Sequence, residues 1–263
     1  MVIRWYNRNL RDTAVACHCV KESTAIMEIL VDYNNVADAD RRKGIRYITE
    51  RVLAAIGPDK IGSRRRVTFR LYDGWFEMQS PSRVAQAVSA DVQTNAPHTA
   101  VLLDGAEKKK VTVNVELAFS LRSEPTVHLW HTFRQKAKHG NFTCTPPASA
   151  GCVIAGCPLQ PIAGFFSNKQ CPQPTCTITP EDVFTRNEQK LVDTMIAADL
   201  FSLFMSSAPE AVLVSSDDDH LPIVRLLVNT GMTIFHVLTR PKSHSMGLYL
   251  RGLDPNKYLQ FQM

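Results

Sequence analysis

The sequence of 263 residues has no apolar run that approaches the roughly 20 residues needed for a membrane-spanning helix. Its first segment, Met1–Arg8, has neither the apolar stretch nor the small-residue cleavage site of a secretion signal. These absences predict a cytoplasmic protein. In that reducing compartment, the seven cysteines are better interpreted as thiols or metal ligands than as disulfides.

An apolar fraction of 44% and a charged fraction of 21% are typical of an ordinary globular protein. Short segments rich in branched or aromatic residues are predicted to form five buried strands: Ile26–Asp32, Arg66–Tyr72, Val111–Ser120, Ala211–Ser215 and Thr233–Leu238. Helices are predicted between them at residues 45–56, from an N-cap at Ser80 to about residue 92, at about 187–205 and at about 221–229. This alternation predicts an α/β fold with a largely parallel sheet covered on both faces.

One stretch does not fit the alternation of strands and helices. Residues 140–180 contain seven of the fifteen prolines and five of the seven cysteines, with almost no apolar periodicity. We interpret them as a Cys/Pro-rich insertion that needs a local organiser. The expected organisation is an N-terminal extension at 1–25, one domain in two parts at 26–139 and 181–263, and the insertion between those parts.

The cysteines of the insertion are spaced as two similar pairs. Four residues separate Cys152 from Cys157, and four separate Cys171 from Cys176. Two such pairs can close a tetrahedral site for a structural Zn²⁺, although four residues is the wide limit of the usual spacing. The alternative interpretation is a loop with free thiols.

Acidic residues follow two of the predicted strands. Asp32 ends the first strand, and the segment 215–220 reads Ser-Ser-Asp-Asp-Asp-His after the fourth. Ligands of open parallel sheets bind beyond the carboxyl ends of strands, and successive carboxylates repel one another unless a cation offsets them. A single aspartate there is more often a turn former or a helix cap. Asp193 and Asp199 lie about 120° apart on one helix, so they are not expected to share a site.

In their order, four motifs resemble the NYN family of the PIN-like nuclease superfamily: Leu30–Asn35, Arg70–Phe76, Lys190–Asp199 and Leu213–Ile223. The resemblance spans roughly residues 26–240, outside the insertion. Tyr33 and Ser216 stand where the family has glycine. His220 stands where the family usually has an aromatic residue, and we interpret it as a harmless replacement.

The resemblance implies a Rossmann-like, PIN-like three-layer α/β/α sandwich with strand order 3-2-1-4-5. It also implies an endoribonuclease that depends on Mg²⁺ or Mn²⁺. Transferred residue by residue, the catalytic and metal-binding residues would be Asp32, Asp193, Asp217 and Asp219, with Asn35 nearby in the substrate site.

A basic segment follows the first predicted strand. Residues 41–70 contain ten lysines and arginines against two acids, an excess that attracts the phosphates of a nucleic acid. Contacts with RNA are expected from Arg41, Arg42, Lys43, Arg64, Arg65 and Arg66. On charge alone, a solvated surface explains the segment equally well.

The main alternative to a nuclease is a catalytically weak nucleic-acid-binding module with a zinc-stabilised loop. A small-molecule phosphohydrolase is disfavoured, because asparagine at position 34 replaces the second acid of that class's Asp-x-Asp nucleophile motif. RNA is the expected partner, no membrane contact is expected, and a homodimer is left open.

Overall fold

The computed structural model describes residues 26–104, 107–137, 144–184, 186–241 and 244–263. The predicted N-terminal extension, 1–25, and the start of the predicted insertion, 140–143, lie outside the described residues. In the described residues the strands are β1 (Met27–Asp32), β2 (Arg66–Tyr72), β3 (Phe76–Glu77), β4 (Ser80–Pro81), β5 (His98–Asp104), β6 (Glu107–Leu117), β7 (Ser120–Leu121), β8 (Glu124–His128), β9 (Phe133–Ala137), β10 (Arg186–Gln189), β11 (Glu210–Val214), β12 (Thr233–Leu238) and β13 (Tyr258–Gln262).

The α-helices of the same residues are α1 (Asp38–Arg41), α2 (Ile45–Ile56), α3 (Pro58–Ile61), α4 (Arg83–Asn95), α5 (Leu159–Asn168), α6 (Pro180–Val183), α7 (Val192–Met205), α8 (Leu221–Asn229) and α9 (His244–Tyr249). Two short 3₁₀ turns are also present. Tyr33–Asn35 directly follows β1, and Asp218–His220 lies a few residues after the end of β11. These two turns lie at the edge of the sheet where the acidic residues gather.

Seven strands form the main sheet in the order β13-β12-β11-β1-β2-β6-β5. Neighbouring strands are parallel except for β5, which runs antiparallel to β6. The five predicted strands lie in the order β6-β2-β1-β11-β12. Numbered as they were predicted along the chain, this is the order 3-2-1-4-5 that the resemblance implied. A mixed α/β fold with a mainly parallel sheet is therefore confirmed, and the edge strands β5 and β13 add to the prediction.

Helices cover both faces of this sheet. Ile29 and Val31 of β1 lie in a core cluster with residues of α2 and α4, whereas Leu30 lies in a second cluster with residues of α7 and α8. Neighbouring residues of a strand point to opposite faces, which explains why β1 supplies both clusters. The predicted helix at 45–56 has the observed bounds, and Gly57 with φ 84° follows its end.

Two predicted helix starts are wrong. The second helix begins at Arg83, because the hydroxyl of Ser82 accepts a hydrogen bond from Ala85 N (3.1 Å), while Ser80–Pro81 forms β4. The third helix begins at Val192 and not near residue 187, because 186–189 form β10 and Leu191 adopts a positive φ of 68°. A helix cannot extend through that left-handed residue without strain.

A second sheet, β10-β9-β3-β4, stands beside the main one and was not predicted. Its strands β9 and β10 pair antiparallel. The chain leaves this sheet at the end of β9, passes through the predicted insertion and returns in the neighbouring strand β10. The insertion also contains more regular structure than expected. It holds α5, whose Phe166 ring lies 4.6 Å from the ring of Phe184.

Candidate metal centre

The carboxyl ends of β1, β2 and β11 meet at one edge of the main sheet. The register pairs Asp32 with Tyr72 and Val31 with Val214, so the residues that follow these strands come together. Asp32 is buried there, as is Asp73, which follows β2. The predicted grouping at this edge therefore depends on strand register.

Two hydrogen bonds hold the carboxylate of Asp32. Its Oδ2 accepts from the hydroxyl of Ser215 at 2.9 Å, and its Oδ1 accepts from Asn35 N at 3.3 Å. The Ser215 oxygen also accepts from Asp217 N at 3.0 Å. This hydroxyl thus fixes Asp32 relative to the turn that follows β11, and both oxygens of Asp32 keep room for a further contact.

His220 and Asp193 complete a cluster around Asp32. The Nε2 of His220 lies 3.6 Å from Asp32 Oδ2 and 3.9 Å from Asp193 Oδ1. In the described residues, this is the one group of three His, Cys, Asp or Glu residues whose potential ligand atoms all lie within 4.8 Å of one another. Asp193 stands in the first turn of α7, and His220 ends the turn before α8.

The electrostatic environment of Asp193 is that of a crowded acidic site. Partial burial raises the pKa of this carboxyl, and the charges of Asp32, Asp217 and Asp219 raise it further, while His220 acts in the opposite direction. A carboxyl that is partly buried beside other acids is one that a bound cation would stabilise in its charged form.

Asp217 and Asp219 are near the cluster without belonging to it. Asp217 is the N-cap of the short turn, and its Oδ1 accepts from Asp219 N at 3.0 Å. The capping role that strand-end aspartates commonly have is therefore present here. The structure brings Asp32 and Asp193 together as predicted, but it replaces the other two acids with His220 as the third member.

Asn35 lies beside the cluster as expected, and its contact with substrate stays a prediction. Its side-chain oxygen accepts from Ser216 N at 2.8 Å and from the Thr239 hydroxyl at 2.6 Å. The residue is buried, and it joins the loops that follow β1, β11 and β12. Its oxygen is thus engaged in holding the edge of the sheet together.

Asp73 is a candidate site residue that the sequence reasoning missed. Its carboxylate accepts hydrogen bonds from Gly74 N and from the side-chain amide of Gln189. Burial raises its pKa to about 6, and the negative charge of Asp32 contributes, against the opposing effects of the Gly74 amide and Arg41. The signal was present in the motif Arg70–Phe76, where Asp73 follows a strand as Asp32 does.

The basic residues divide between two edges of the sheet. Arg41 and the exposed Arg42 follow β1 at the carboxyl edge, where Arg41 lies over the Tyr33 ring at 5.8 Å and partly offsets the rise in the pKa of Asp73. Lys43 pairs with Asp40 at 3.4 Å.

Arg64 and Arg65 precede β2 and Arg66 is its first residue, so all three lie at the amino edge instead. The seven residues of β2, with six steps of roughly 3.3 Å, separate them from the cluster by about 20 Å. Arg64 is also paired with Glu210 at 2.7 Å. The structure thus places these three arginines away from the acidic cluster, and their contact with RNA stays a prediction.

The cysteines of the insertion are partly buried thiols in the structure. Cys144, Cys152, Cys157, Cys171 and Cys176 are free, and Cys171 N donates to Ile178 O. Among those described cysteines, no three have sulfur atoms that all lie within 4.8 Å of one another, as the potential ligand atoms of the Asp32 cluster do. Zinc binding by Cys152, Cys157, Cys171 and Cys176 stays a prediction.

In comparisons with known proteins, no family model matches the chain, and no curated protein or solved structure gives a significant match. In the described parts of the chain, no helix has both the length and the apolar character required to cross a membrane.

Proposed function

We propose that the chain is a divalent-metal-dependent endoribonuclease of the PIN-like, NYN type, on a Rossmann-like fold. The observation that carries this proposal is the convergence of Asp32, Asp193 and His220 on one point at the carboxyl edge of the sheet. The three residues come from β1, from the start of α7 and from the turn after β11, so the site depends on the assembled fold.

The residues present fit a divalent cation. Asp32 and Asp193 offer carboxylate oxygens, and the pKa of Asp193 is raised by burial and by neighbouring acids. His220 is buried, and neither of its ring nitrogens has a hydrogen bond to a described residue. A cation would offset the repulsion among the acids and would satisfy one of these nitrogens.

Asp32 and Asp193 would hold such an ion, with Asp217 and Asp219 adding negative charge around it. When bound, a divalent ion supplies Lewis-acid activation of a phosphodiester and of the attacking water. Ser215 keeps Asp32 oriented through the 2.9 Å hydrogen bond. Asn35 holds the neighbouring loops, so that the acids stay in place while substrate binds.

RNA is the proposed substrate because of the motif resemblance and the charge at this edge. Arg42 is highly exposed, and Arg41 lies beside Tyr33. Their positive charges can attract the phosphates of a strand approaching the cluster. Arg65 and Arg66 lie at the far edge and are not proposed as contacts to the cleaved phosphate.

The test is cleavage of a mixed-sequence single-stranded RNA with Mn²⁺ or Mg²⁺ and with a chelator. The parent should cleave only with metal, and Asp32→Asn should lower the rate by at least about 100-fold. Asp59→Asn is the matched control, since Asp59 is an exposed acid in α3, near the amino edge. It should cleave like the parent.

Equal cleavage by the parent and Asp32→Asn would identify a contaminating nuclease and refute the assignment. Metal-independent binding of RNA without cleavage would favour the nucleic-acid-binding module instead. Salt-dependent binding that Arg41→Ala and Arg42→Ala weaken would support a role of this edge in either case.

A further inference from the structure

The imidazole of His220 is buried in a way that the fold alone leaves unexplained. Its side chain is 1% exposed, and its Nε2 is directed between the carboxylates of Asp32 and Asp193. Neither Nε2 nor Nδ1 has a hydrogen bond within the described residues. Burying a polar group without a hydrogen bond destabilises the fold, so this position indicates a missing partner.

The distances at His220 fit a shared ion better than a direct bond. At 3.6 and 3.9 Å, Nε2 is too far from both carboxylates for an ordinary hydrogen bond, which spans about 2.7–3.2 Å. Ligand atoms bound at about 2.1 Å to one ion lie roughly 3.0 Å apart in octahedral geometry and roughly 3.4 Å apart in tetrahedral geometry. The distance between His220 and Asp32 is close to this range, and a small movement of the exposed Asp193 side chain would bring its oxygen to a similar distance from Nε2.

We propose that His220 is a ligand of the metal centre through Nε2 and makes it selective for a transition-metal ion over Mg²⁺. This inference rests on the proposed metal site and names the kind of ion it takes. Mg²⁺ prefers oxygen ligands and retains its water, whereas an imidazole nitrogen favours first-row transition ions. A site with two carboxylates and one imidazole should therefore bind Mn²⁺ more tightly than Mg²⁺.

The competing explanation is that His220 is a protonated counter-charge for Asp32 and Asp193. The two explanations predict opposite effects for His220→Asn. Loss of a ligand weakens Mn²⁺ binding and leaves Mg²⁺ binding nearly unchanged. Loss of a positive charge inside an acidic cluster strengthens the binding of both cations.

The experiment measures binding to the full chain without RNA. Mn²⁺ is titrated by electron paramagnetic resonance, and Mg²⁺ is measured by competition. Mn²⁺ is the chosen probe because it has little preference for the thiolates of the insertion. The parent should bind Mn²⁺ at least about 10-fold more tightly than Mg²⁺, and His220→Asn should lose at least about 10-fold in Mn²⁺ affinity.

Pulsed resonance of the bound Mn²⁺ gives a readout in the parent protein itself, so the test remains decisive even if a variant fails to fold. Nitrogen coupling from an imidazole should appear in the parent. It should persist in the control His98→Asn, whose histidine lies on β5, three strands from β1 in the sheet, and it should disappear in His220→Asn. Absent nitrogen coupling in the parent, or tighter binding of both ions by His220→Asn, would overturn the proposal.

The outcomes separate this inference from the proposed function. Nitrogen-coupled Mn²⁺ without RNA cleavage would leave His220 a ligand and refute the nuclease assignment. Cleavage supported equally by Mg²⁺ and Mn²⁺, with no nitrogen coupling, would retain the nuclease and refute the role of His220.

Discussion

Substitution of Asp199 by asparagine should strongly destabilise the fold without touching the metal centre. Asp199 is fully buried on α7, and its carboxylate accepts from Arg70 Nε at 3.0 Å, Tyr72 Oη at 2.6 Å and Arg122 N at 2.8 Å. It therefore anchors α7 to β2 and to the loop after β7. This network is separate from Asp193, as the 120° between the two aspartates predicted.

The magnitude follows from the loss of one charge in a buried pair. Asparagine keeps the shape of Asp199 but must direct its NH₂ group at one set of donors, and it leaves Arg70 with the half-exposed Glu116 as its remaining counter-charge. Such a loss typically costs about 3–5 kcal/mol. At roughly 2–4 °C per kcal/mol for a chain of this size, the melting temperature should fall by roughly 6–20 °C.

Urea unfolding followed by tryptophan fluorescence measures this effect, since Trp75 is buried in the core. Asp59→Asn serves as a control with the same chemical change at an exposed position. The double variant Arg70→Met with Asp199→Leu should regain part of the lost stability, because removing both charges removes the unpaired one. A loss below about 1 kcal/mol for Asp199→Asn, with an unchanged denaturant slope, would refute the reasoning.

Three further predictions concern charge and metal. The double variant Arg41→Ala with Arg42→Ala should weaken RNA binding, and reduce its salt dependence, more than the double variant Arg65→Ala with Arg66→Ala. Filter binding at several salt concentrations tests this, and equal effects of the two double variants would contradict it. Burial raises the pKa of Asp73 from 3.8 to about 6, so the folded state retains a proton that the unfolded state releases between these values. Stability of the metal-free protein should therefore fall by up to about 3 kcal/mol as pH rises through this window, and Asp73→Asn should lack that fall in unfolding measurements at pH 4 and pH 7. If Cys152, Cys157, Cys171 and Cys176 bind zinc, elemental analysis should find about one zinc per chain. Chelation should then expose residues 144–176 to proteolysis while the main sheet stays folded. Finding no zinc, together with five freely reactive thiols in the native protein, would contradict this prediction.

The strands could be predicted because each carries its own local signal, whereas their order was implied only by the family resemblance. The buried run before Asp32 and the 3.6-residue spacing in α2 are properties of neighbouring residues, and the structure has both elements. The start of α7 could not be predicted in this way. The pairing of β10 with β9 decides it, and those strands are separated by the whole insertion.

The residues of the candidate site also divide into those that local sequence identifies and those that only the packing of distant segments brings together. The position of Asp32 at a strand end is local, so the sequence identified it. His220 was interpreted as a harmless replacement, because its burial against Asp32 and Asp193 arises only when α7 packs beside the turn after β11. The position of Arg64–Arg66 at the amino edge was not predicted, because charge density along a chain does not tell which end of a strand it lies at.

The pairing of β9 with β10 has a consequence for how this protein could change over evolution. Paired strands fix the two ends of the segment between Ala137 and Arg186 at a separation of about 5 Å. The closure cost of a loop grows only with the logarithm of its length, so this segment can be lengthened, shortened or exchanged at little cost to either sheet. Since β10 is followed closely by α7 and Asp193, a new segment would enter the chain near the proposed metal centre. The segment could thus be replaced during evolution while the residues of the proposed metal centre are retained.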